Sequence, residues 1–149
     1  EHALVDSGNS IICNHCLKSW TIDETNFIKG EESYSIQEAL KKSQIHLENH
    51  WKKYKGFQST APVIVMDASR KQWVKLDQGL LKLNKQTLET DNWKLEIQDI
   101  KAHLRDWGNI ILIRTARQRI AIKIPDAEGF ITWSMALDLA IRNSGVQNE

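Results

Sequence analysis

The 149-residue sequence contains only two cysteines and two prolines, and it has no long apolar segment. The cysteines form one Cys-x-x-Cys pair. Such a pair is not the disulfide framework of a small secreted domain, and it favours a cytoplasmic protein. No hydrophobic run approaches the ~20 residues that a membrane-spanning helix requires. The seven glycines are scattered, so there is no glycine-rich phosphate loop, and neither Gly-x-Ser-x-Gly nor His-Glu-x-x-His occurs. We therefore expect a protein that is not an enzyme.

The charges are unevenly distributed, although the formal net charge is only +1. Residues 70–123 contain 12 basic and 6 acidic side chains, whereas residues 1–60 contain 7 basic and 8 acidic ones. Residues 124–149 contain one basic and four acidic side chains. The central part of the chain is therefore the basic part, and an acidic partner or surface is expected for it.

The N-terminal residues 1–20 contain the pair Cys13 and Cys16, preceded by two short predicted strands, Ala3–Val5 and Ser10–Ile12. Thiolates at i and i+3 supply two of the four ligands of a tetrahedral zinc ion. The stretch resembles the second half of a zinc ribbon, whose first Cys-x-x-Cys would precede Glu1. Zinc is thus the expected cofactor, lost where the upstream ligands are absent.

Two other interpretations of the cysteine pair remain open. His46 and His50 are four residues apart on a predicted helix, and together with Cys13 and Cys16 they would complete a Cys2His2 site. In the other interpretation the two cysteines are simply reduced and bind no metal. A thioredoxin-like redox motif is not indicated, since nothing nearby predicts the βαβ unit in which it lies.

Residues 21–61 are predicted to form a polar linker followed by an amphipathic helix. Ser35 and Glu38 form a capping box that marks the start of the helix, and Gly56 is predicted to end it. The apolar stripe of this helix consists of Ile36, Leu40, Leu47, Trp51 and Tyr54. Its lysine-bearing face is interpreted as solvated, although a basic amphipathic helix can also lie on a membrane.

From Pro62 onwards the sequence shows the two-residue alternation of β-strands. The predicted strands are Val63–Ala68, Gln72–Leu76, Gly79–Asn84, Leu88–Thr90, Trp93–Ile97, Asn109–Thr115 and Arg119–Ile124. Residues 100–107 are interpreted as a connection with room for a helical turn. A final helix is predicted, capped by Asp126, ended by Gly145 and carrying Trp133 on its apolar side.

Residues 62–145 resemble a pleckstrin-homology (PH/GRAM-like) domain. The segments that carry the resemblance are GLLKLN, WKLEIQDIKAHLRDWGN, IILIRT, RIAIKIP and the Trp-bearing WSMALDLAI. It implies an α+β, mainly β fold: a seven-stranded antiparallel sandwich capped by a C-terminal helix whose tryptophan, here Trp133, packs into the sandwich. The chain then divides into a zinc-ribbon-like knuckle (1–20), a linker with a helix (21–61) and the PH-like domain (62–149).

The resemblance also implies binding rather than catalysis. Lipid-binding members place basic side chains in and around the loop that joins the first two strands, and the matching positions here are Arg70, Lys71 and Lys75. A second basic cluster, Arg114, Arg117 and Arg119, lies at the predicted hairpin near the end of the sheet. Several cations that converge on one place can bind phosphate, and arginine can do so bidentately.

We therefore expect an accessory binding module of a larger cytoplasmic protein. Its expected ligand is an acidic protein partner or an anionic or phosphoinositide membrane, the latter giving a peripheral membrane location. One alternative is the regulatory tail of an upstream membrane-associated enzyme, and another is a zinc-ribbon nucleic-acid-binding protein. Asp99, His103 and Asp106 are close in sequence but are interpreted as surface polar groups, because neither a cleft nor a nucleophile is indicated.

Overall fold

The computed structural model describes the backbone of residues 4–6, 10–13, 19–22, 27–29, 34–106, 108–125 and 129–145. Side chains are described from residue 37 onwards within these ranges, with the exception of residue 39. Within this part of the chain the fold comprises two antiparallel sheets and two α-helices.

The N-terminal sheet is a meander of five short strands. They are β1 (Leu4–Asp6), β2 (Ser10–Cys13), β3 (Ser19–Ile22), β4 (Phe27–Lys29) and β5 (Tyr34–Ser35). The first two strands agree with those predicted from the sequence. The polar linker predicted from residue 21 is wrong in part, because β4 and β5 lie within it and continue the sheet.

Helix α1 (Ile36–Tyr54) begins directly after Ser35, as the capping box predicted. It buries Leu47 and Trp51, whereas Leu40 and Tyr54 of the predicted apolar stripe are exposed. The ring of Trp51 lies 5.6 Å from that of Phe57, which joins the helix to the large sheet. The helix ends at Tyr54 because Lys55 adopts a left-handed conformation, with φ of 60°. The predicted role of Gly56 as the helix stop is therefore wrong.

The large sheet contains seven antiparallel strands. They are β6 (Gly56–Asp67), β7 (Val74–Asn84), β8 (Thr87–Glu89), β9 (Lys94–Glu96), β10 (Ile100–Asp106), β11 (Ile110–Thr115) and β12 (Arg119–Lys123). Their spatial order is β10–β11–β12–β6–β7–β8–β9, so the first strand pairs with both the second and the last. The predicted seven-stranded antiparallel sheet is confirmed.

Several predicted strand boundaries differ from the structure. Strand β6 begins at Gly56, before the predicted start at Val63. Residues 74–76 of the predicted strand Gln72–Leu76 and the predicted strand Gly79–Asn84 belong to one strand, β7, which contains a bulge at Leu76. Residues 100–107, predicted as a connection, contain β10, which pairs with β11 along most of its length. The polar side chains of β10 do not show the alternation of apolar and polar residues that identifies a strand. Strand β10 lies at the edge of the sheet, where charged residues are tolerated.

Strand β6 is irregular near Pro62, where its register with β7 shifts by two residues between Gln58 and Pro62. The backbone N–H of Leu81 donates a hydrogen bond to the buried hydroxyl of Ser59 over 2.8 Å. A side chain thus satisfies an amide that the interrupted ladder would leave buried without a partner.

The core lies between the large sheet and helix α2 (Phe130–Asn143). Trp133 is buried there, as predicted, and Ala136, Leu137 and Ala140 complete the inner face of the helix. Gly145, with φ of 78°, follows the helix end, as predicted. The predicted cap Asp126 lies outside the described residues; the helix begins at Phe130, and its N-cap is Gly129. The C-terminal helix expected to cover the sheet is confirmed.

Gly56 allows the start of β6 to approach β7 closely. A Cβ atom at this position would lie 2.5 Å from the backbone oxygen of Leu83, a distance that no relaxed structure tolerates. We therefore expect Gly56→Ala to lower the free energy of unfolding by about 1–3 kcal/mol, the usual cost of overpacking.

Gly79 in the paired strand is the matched control for this prediction. Its added Cβ would meet nothing closer than the Cβ of Thr90, at 3.8 Å, which is an ordinary contact. Denaturant unfolding of both variants measures the difference. Equal stability of Gly56→Ala and Gly79→Ala would contradict the proposed role of Gly56.

Candidate binding surface

The two basic clusters predicted from the sequence lie at the same end of the large sheet. Strand β6 pairs with β12 so that Asp67 is opposite Ile120, and the turns that follow β6 and precede β12 are therefore neighbours. The N–H of Ala68 donates to the carbonyl oxygen of Arg119 over 2.8 Å. The N–H of Arg119 donates to the Oγ atom of Ser69 over 2.9 Å. These bonds fix the β6–β7 turn against the β11–β12 turn.

We call this region the basic end. Its six exposed cationic residues are those predicted from the sequence: Arg70, Lys71, Lys75, Arg114, Arg117 and Arg119. Arg70 and Lys71 lie in the β6–β7 turn, and Arg117 lies in the β11–β12 turn. The backbones of β6 and β12 are neighbours in the sheet, a separation of about 4.8 Å. The fold thus brings together two clusters whose nearest members, Lys75 and Arg114, are 39 residues apart in sequence.

Arg114 and Arg119 are directly opposite each other across the β11–β12 hairpin. Both are exposed, and like charges in directly opposite positions destabilise a strand pair. Thr115 compensates locally, because its Oγ atom accepts hydrogen bonds from the N–H groups of Arg117 and Gln118 and so holds the turn. A bound anion would therefore relieve the repulsion between Arg114 and Arg119.

Lys75 is placed differently from the other five cations. It lies within β7 opposite Met66, and its Nζ atom donates to Oε1 of Gln78 over 2.7 Å. Together with Leu76, Asp77 and Pro62 it lines a shallow surface groove of about 550 Å³. The ammonium group of Lys75 therefore faces the side of β7 rather than the turn itself.

Two carboxylates reduce the positive charge of the basic end. Asp67 accepts a hydrogen bond from the N–H of Ser69 over 2.9 Å, and hydrogen bonds from Ser69 together with the charge of Arg70 lower its pKa. Asp77 accepts hydrogen bonds from the Thr90 hydroxyl and from the N–H of Asn92, the latter over 3.0 Å. These bonds, that of Thr90 above all, lower the pKa of Asp77 to about 2.

Sequence reasoning missed three features of this end: the Ser69–Arg119 link, the Asp77 network and the exposure of Trp73, Val74 and Leu76. The first two depend on contacts between distant strands that no local pattern reports. The exposure of the apolar side chains had a sequence signal, since the run Trp-Val-Lys-Leu follows the basic turn after Gln72. The two-residue alternation predicts an ordinary strand there, with half-buried apolar side chains.

The predicted metal ligands cannot be placed. Cys16 lies outside the described residues, and for Cys13 only the backbone is described, at the end of β2. Of the alternative ligands, His50 stacks on Phe57, with ring centroids 4.9 Å apart, and contacts Tyr54. Among the side chains that the structure describes, no three His, Cys, Asp or Glu residues form a cluster that could hold a metal ion. The zinc site stays a prediction.

His103, interpreted from the sequence as a surface polar group together with Asp99 and Asp106, is instead paired with the C-terminal helix. It is largely buried on β10, and its Nε2 atom lies 2.7 Å from Oδ1 of Asp138 on α2. The pair thus connects the edge strand to the C-terminal helix, a structural role. Within the described ranges, no helix is long and apolar enough to cross a membrane.

Comparison with known proteins gives weak likenesses only. No family model and no curated protein matches the sequence. Among solved structures, the chain is similar to the N-terminal PH domain of human ARAP2, with 10% identity, a TM-score of 0.47, and coverage of 64% of this chain and 86% of that one. It is also similar to Inner Membrane Complex sub-compartment protein 3 of Toxoplasma gondii. There the identity is 18% and the TM-score 0.39, over 70% of this chain and 86% of the other. Both TM-scores lie below 0.5, so neither likeness carries an argument about function.

The hydrogen bond between Arg119 and Ser69 is expected to stabilise the basic end modestly. Replacing Ser69 by Ala removes exposed bonds of its hydroxyl to Arg119 and Asp67, and water can take their place, so the loss should be about 0.5–1 kcal/mol. Ser59→Ala should cost more, about 1–3 kcal/mol, because it leaves the buried N–H of Leu81 unpaired. Denaturant unfolding of both variants tests this order, and a larger loss for Ser69→Ala would contradict it.

The low pKa of Asp77 predicts how the free energy of unfolding depends on pH in acid. Because the pKa of about 2 in the folded protein is below the ordinary value of 3.8, the ionised carboxylate stabilises the fold. This contribution is complete above pH 3.8 and is lost as the pH falls through about 2. Titration of the Asp77 carboxyl by NMR should give a midpoint near 2, and Thr90→Val should raise it. A midpoint at the ordinary value would contradict the hydrogen-bond network.

Proposed function

We propose that this protein is a non-catalytic docking module whose basic end binds a surface rich in clustered phosphate or carboxylate groups. The observation that carries the proposal is the pair of hydrogen bonds that joins Ala68 and Ser69 to Arg119. The pairing of β6 with β12 makes the two basic turns neighbours, and these bonds fix the turns against each other. The cations of both turns are therefore carried by one fixed stretch of backbone.

The charge of the basic end suits an extended anionic surface better than a single small anion. Six cations and the two carboxylates Asp67 and Asp77 leave a net excess of positive charge, distributed over two turns and the strands beside them. Arginine can bind phosphate or carboxylate bidentately, and four of the six cations are arginines. Exposed charges are screened by salt beyond about 8–10 Å, so each contribution is modest and the sum matters.

Reversing two charges, one in the β6–β7 turn and one at the start of β12, tests the proposal. Each Lys or Arg near an anionic surface contributes about 1 kcal/mol, so Arg70→Glu with Arg119→Glu should weaken binding at least about tenfold. Binding is measured by co-sedimentation with vesicles of phosphatidylcholine, with and without phosphatidylserine or a phosphoinositide. Fluorescence anisotropy with labelled poly-glutamate provides a lipid-free polyanion, and both assays are run at low and physiological salt.

The matched control reverses two exposed cations at the other end of the sheet. Lys123 lies on the same strand as Arg119 but at its opposite end, and Arg105 lies near it on β10. Arg105→Glu with Lys123→Glu changes the net charge equally and should leave most of the binding intact. Equal losses for both double variants would contradict the localisation, and no binding of the unmodified protein to any polyanion at low salt would contradict the function.

A further inference from the structure

The outer face of the large sheet carries a row of apolar side chains. Ile120 belongs to the core, so Ala121, the next residue of β12, points to the opposite, outer face. Leu112 is opposite Ala121 on one side, and Met66 is opposite it on the other. Leu104 is in turn opposite Leu112. Because opposite residues share a face, these four side chains form one row across β10, β11, β12 and β6.

A second row on this face lies two residues away, where Ile110 and Ile64 are both opposite Lys123. Of the apolar side chains in the two rows, Leu104 is the most exposed, at 56%. The others are half-buried, apart from the buried Ala121. Neither helix covers these rows within the described ranges, since α2 packs on the inner face and α1 packs on α2 and on β6 near its start.

We call the six apolar residues of these rows the outer patch: Ile64, Met66, Leu104, Ile110, Leu112 and Ala121. The solvent face of an antiparallel sheet ordinarily alternates polar residues with the buried ones. Single exposed apolar residues are normal on a protein surface, whereas a contiguous group over four strands needs an explanation.

Cations flank the outer patch at both ends of β12. Arg119 lies two residues before Ala121 and Lys123 two residues after it, so both share its face. Arg114, opposite Arg119, adds a third cation to the same face. Asp106 is the only acidic side chain at the outward positions of β10, β11 and β12. The charges beside the patch are therefore mainly positive, and they complement an acidic partner.

The size and chemistry of the outer patch suit a single helix. The patch spans roughly 14 Å across the strands and 7 Å along them between side-chain positions, from the usual strand spacings. A second copy of the chain would need about 800 Å² on each partner for a stable interface, which is far more. The backbone groups of β6, β11 and β12 are paired within the sheet, so the face offers only side chains. An element that satisfies its own hydrogen bonds and is about 10 Å wide fits such a face.

We infer that the outer patch binds an acidic amphipathic helix of a protein partner, which runs along β12. Arg119 and Lys123 each lie about 7 Å from Ala121 along the strand. At 1.5 Å per residue, this distance corresponds to about four to five residues of a helix. An apolar side chain over Ala121 would then have a carboxylate four residues before it and another four residues after it, on one face of the helix. The inference rests on the proposed docking function, since Arg114 and Arg119 belong to the basic end, and it names the partner.

A designed peptide that carries this pattern tests the inference. The probe is a helical peptide of about 20 residues, since shorter isolated helices are marginal in water, with Glu-x-x-x-Leu-x-x-x-Glu on one face. An NMR titration follows the backbone amides of the protein. We expect the largest changes at Met66, Leu112 and Ala121. A control peptide with lysine in place of both glutamates should bind at least about tenfold more weakly, because it meets cations at both ends.

The removal of apolar area tests the patch separately from charge. Leu104→Ser with Leu112→Ser should weaken peptide binding at least about tenfold, with no change in affinity for poly-glutamate. Ile131→Ser is the matched control, because Ile131 is 49% exposed on α2, away from this face. It should bind the peptide as the unmodified protein does. Thermal unfolding checks that each variant is folded, and Leu104→Ser alone, at an exposed site, should still weaken binding about threefold.

The outcomes separate the two proposals. Binding of poly-glutamate without peptide-induced changes on the outer face would overturn the inference and leave the docking function standing. Equal binding of the lysine peptide would overturn the acidic partner. A dimer in sedimentation equilibrium that the double serine variant dissociates would assign the patch to a second copy and overturn the inference as well. Absence of binding to the peptide, to vesicles and to poly-glutamate at low salt would overturn both proposals.

Discussion

The pairing of β6 on both of its sides is the constraint on which the rest of the structure depends. One side of β6 pairs with β7, which follows it directly, and the other pairs with β12, close to the C-terminal helix. Closing such a long segment of chain is entropically costly and must be compensated by buried area. Val63 and Val65 of β6 are completely buried, which is the compensation at the strand itself. Through this strand the two halves of the sheet enclose one core, and their two basic turns lie at one end.

The basic end is stabilised by hydrogen bonds in spite of its charges. Arg114 and Arg119 repel each other across their hairpin, but backbone amides of both turns are bonded to Ser69, Thr115 and the Arg119 carbonyl. The turns therefore keep their shape without a counter-ion, and the arginine side chains are presented on a preformed backbone. A preformed arrangement loses less conformational freedom on binding than one that the ligand must organise.

The sequence was sufficient for features that depend on local periodicity. Alternation identified most strands of the large sheet, and helical spacing identified the last helix with its buried Trp133. It failed where tertiary context overrides the pattern. The polar strand β10 showed no alternation, because an edge strand needs few apolar residues. The bulge at Leu76 is set by the register between β6 and β7, which no local pattern reports. The basic residues themselves were found, since charge is readable directly, but their convergence required the β6–β12 pairing.

The carboxylates of Asp67 and Asp77 limit what the basic end can bind by charge. Hydrogen bonds favour the ionised form of both groups, so they subtract from the positive field of the basic end. A surface bound by this reduced field is released as salt increases, since exposed charges are screened. Binding at the basic end therefore depends on how many cations act together, because each one alone contributes little at physiological salt. The preformed backbone of the two turns matters for this reason, since it presents the cations to one surface at the same time.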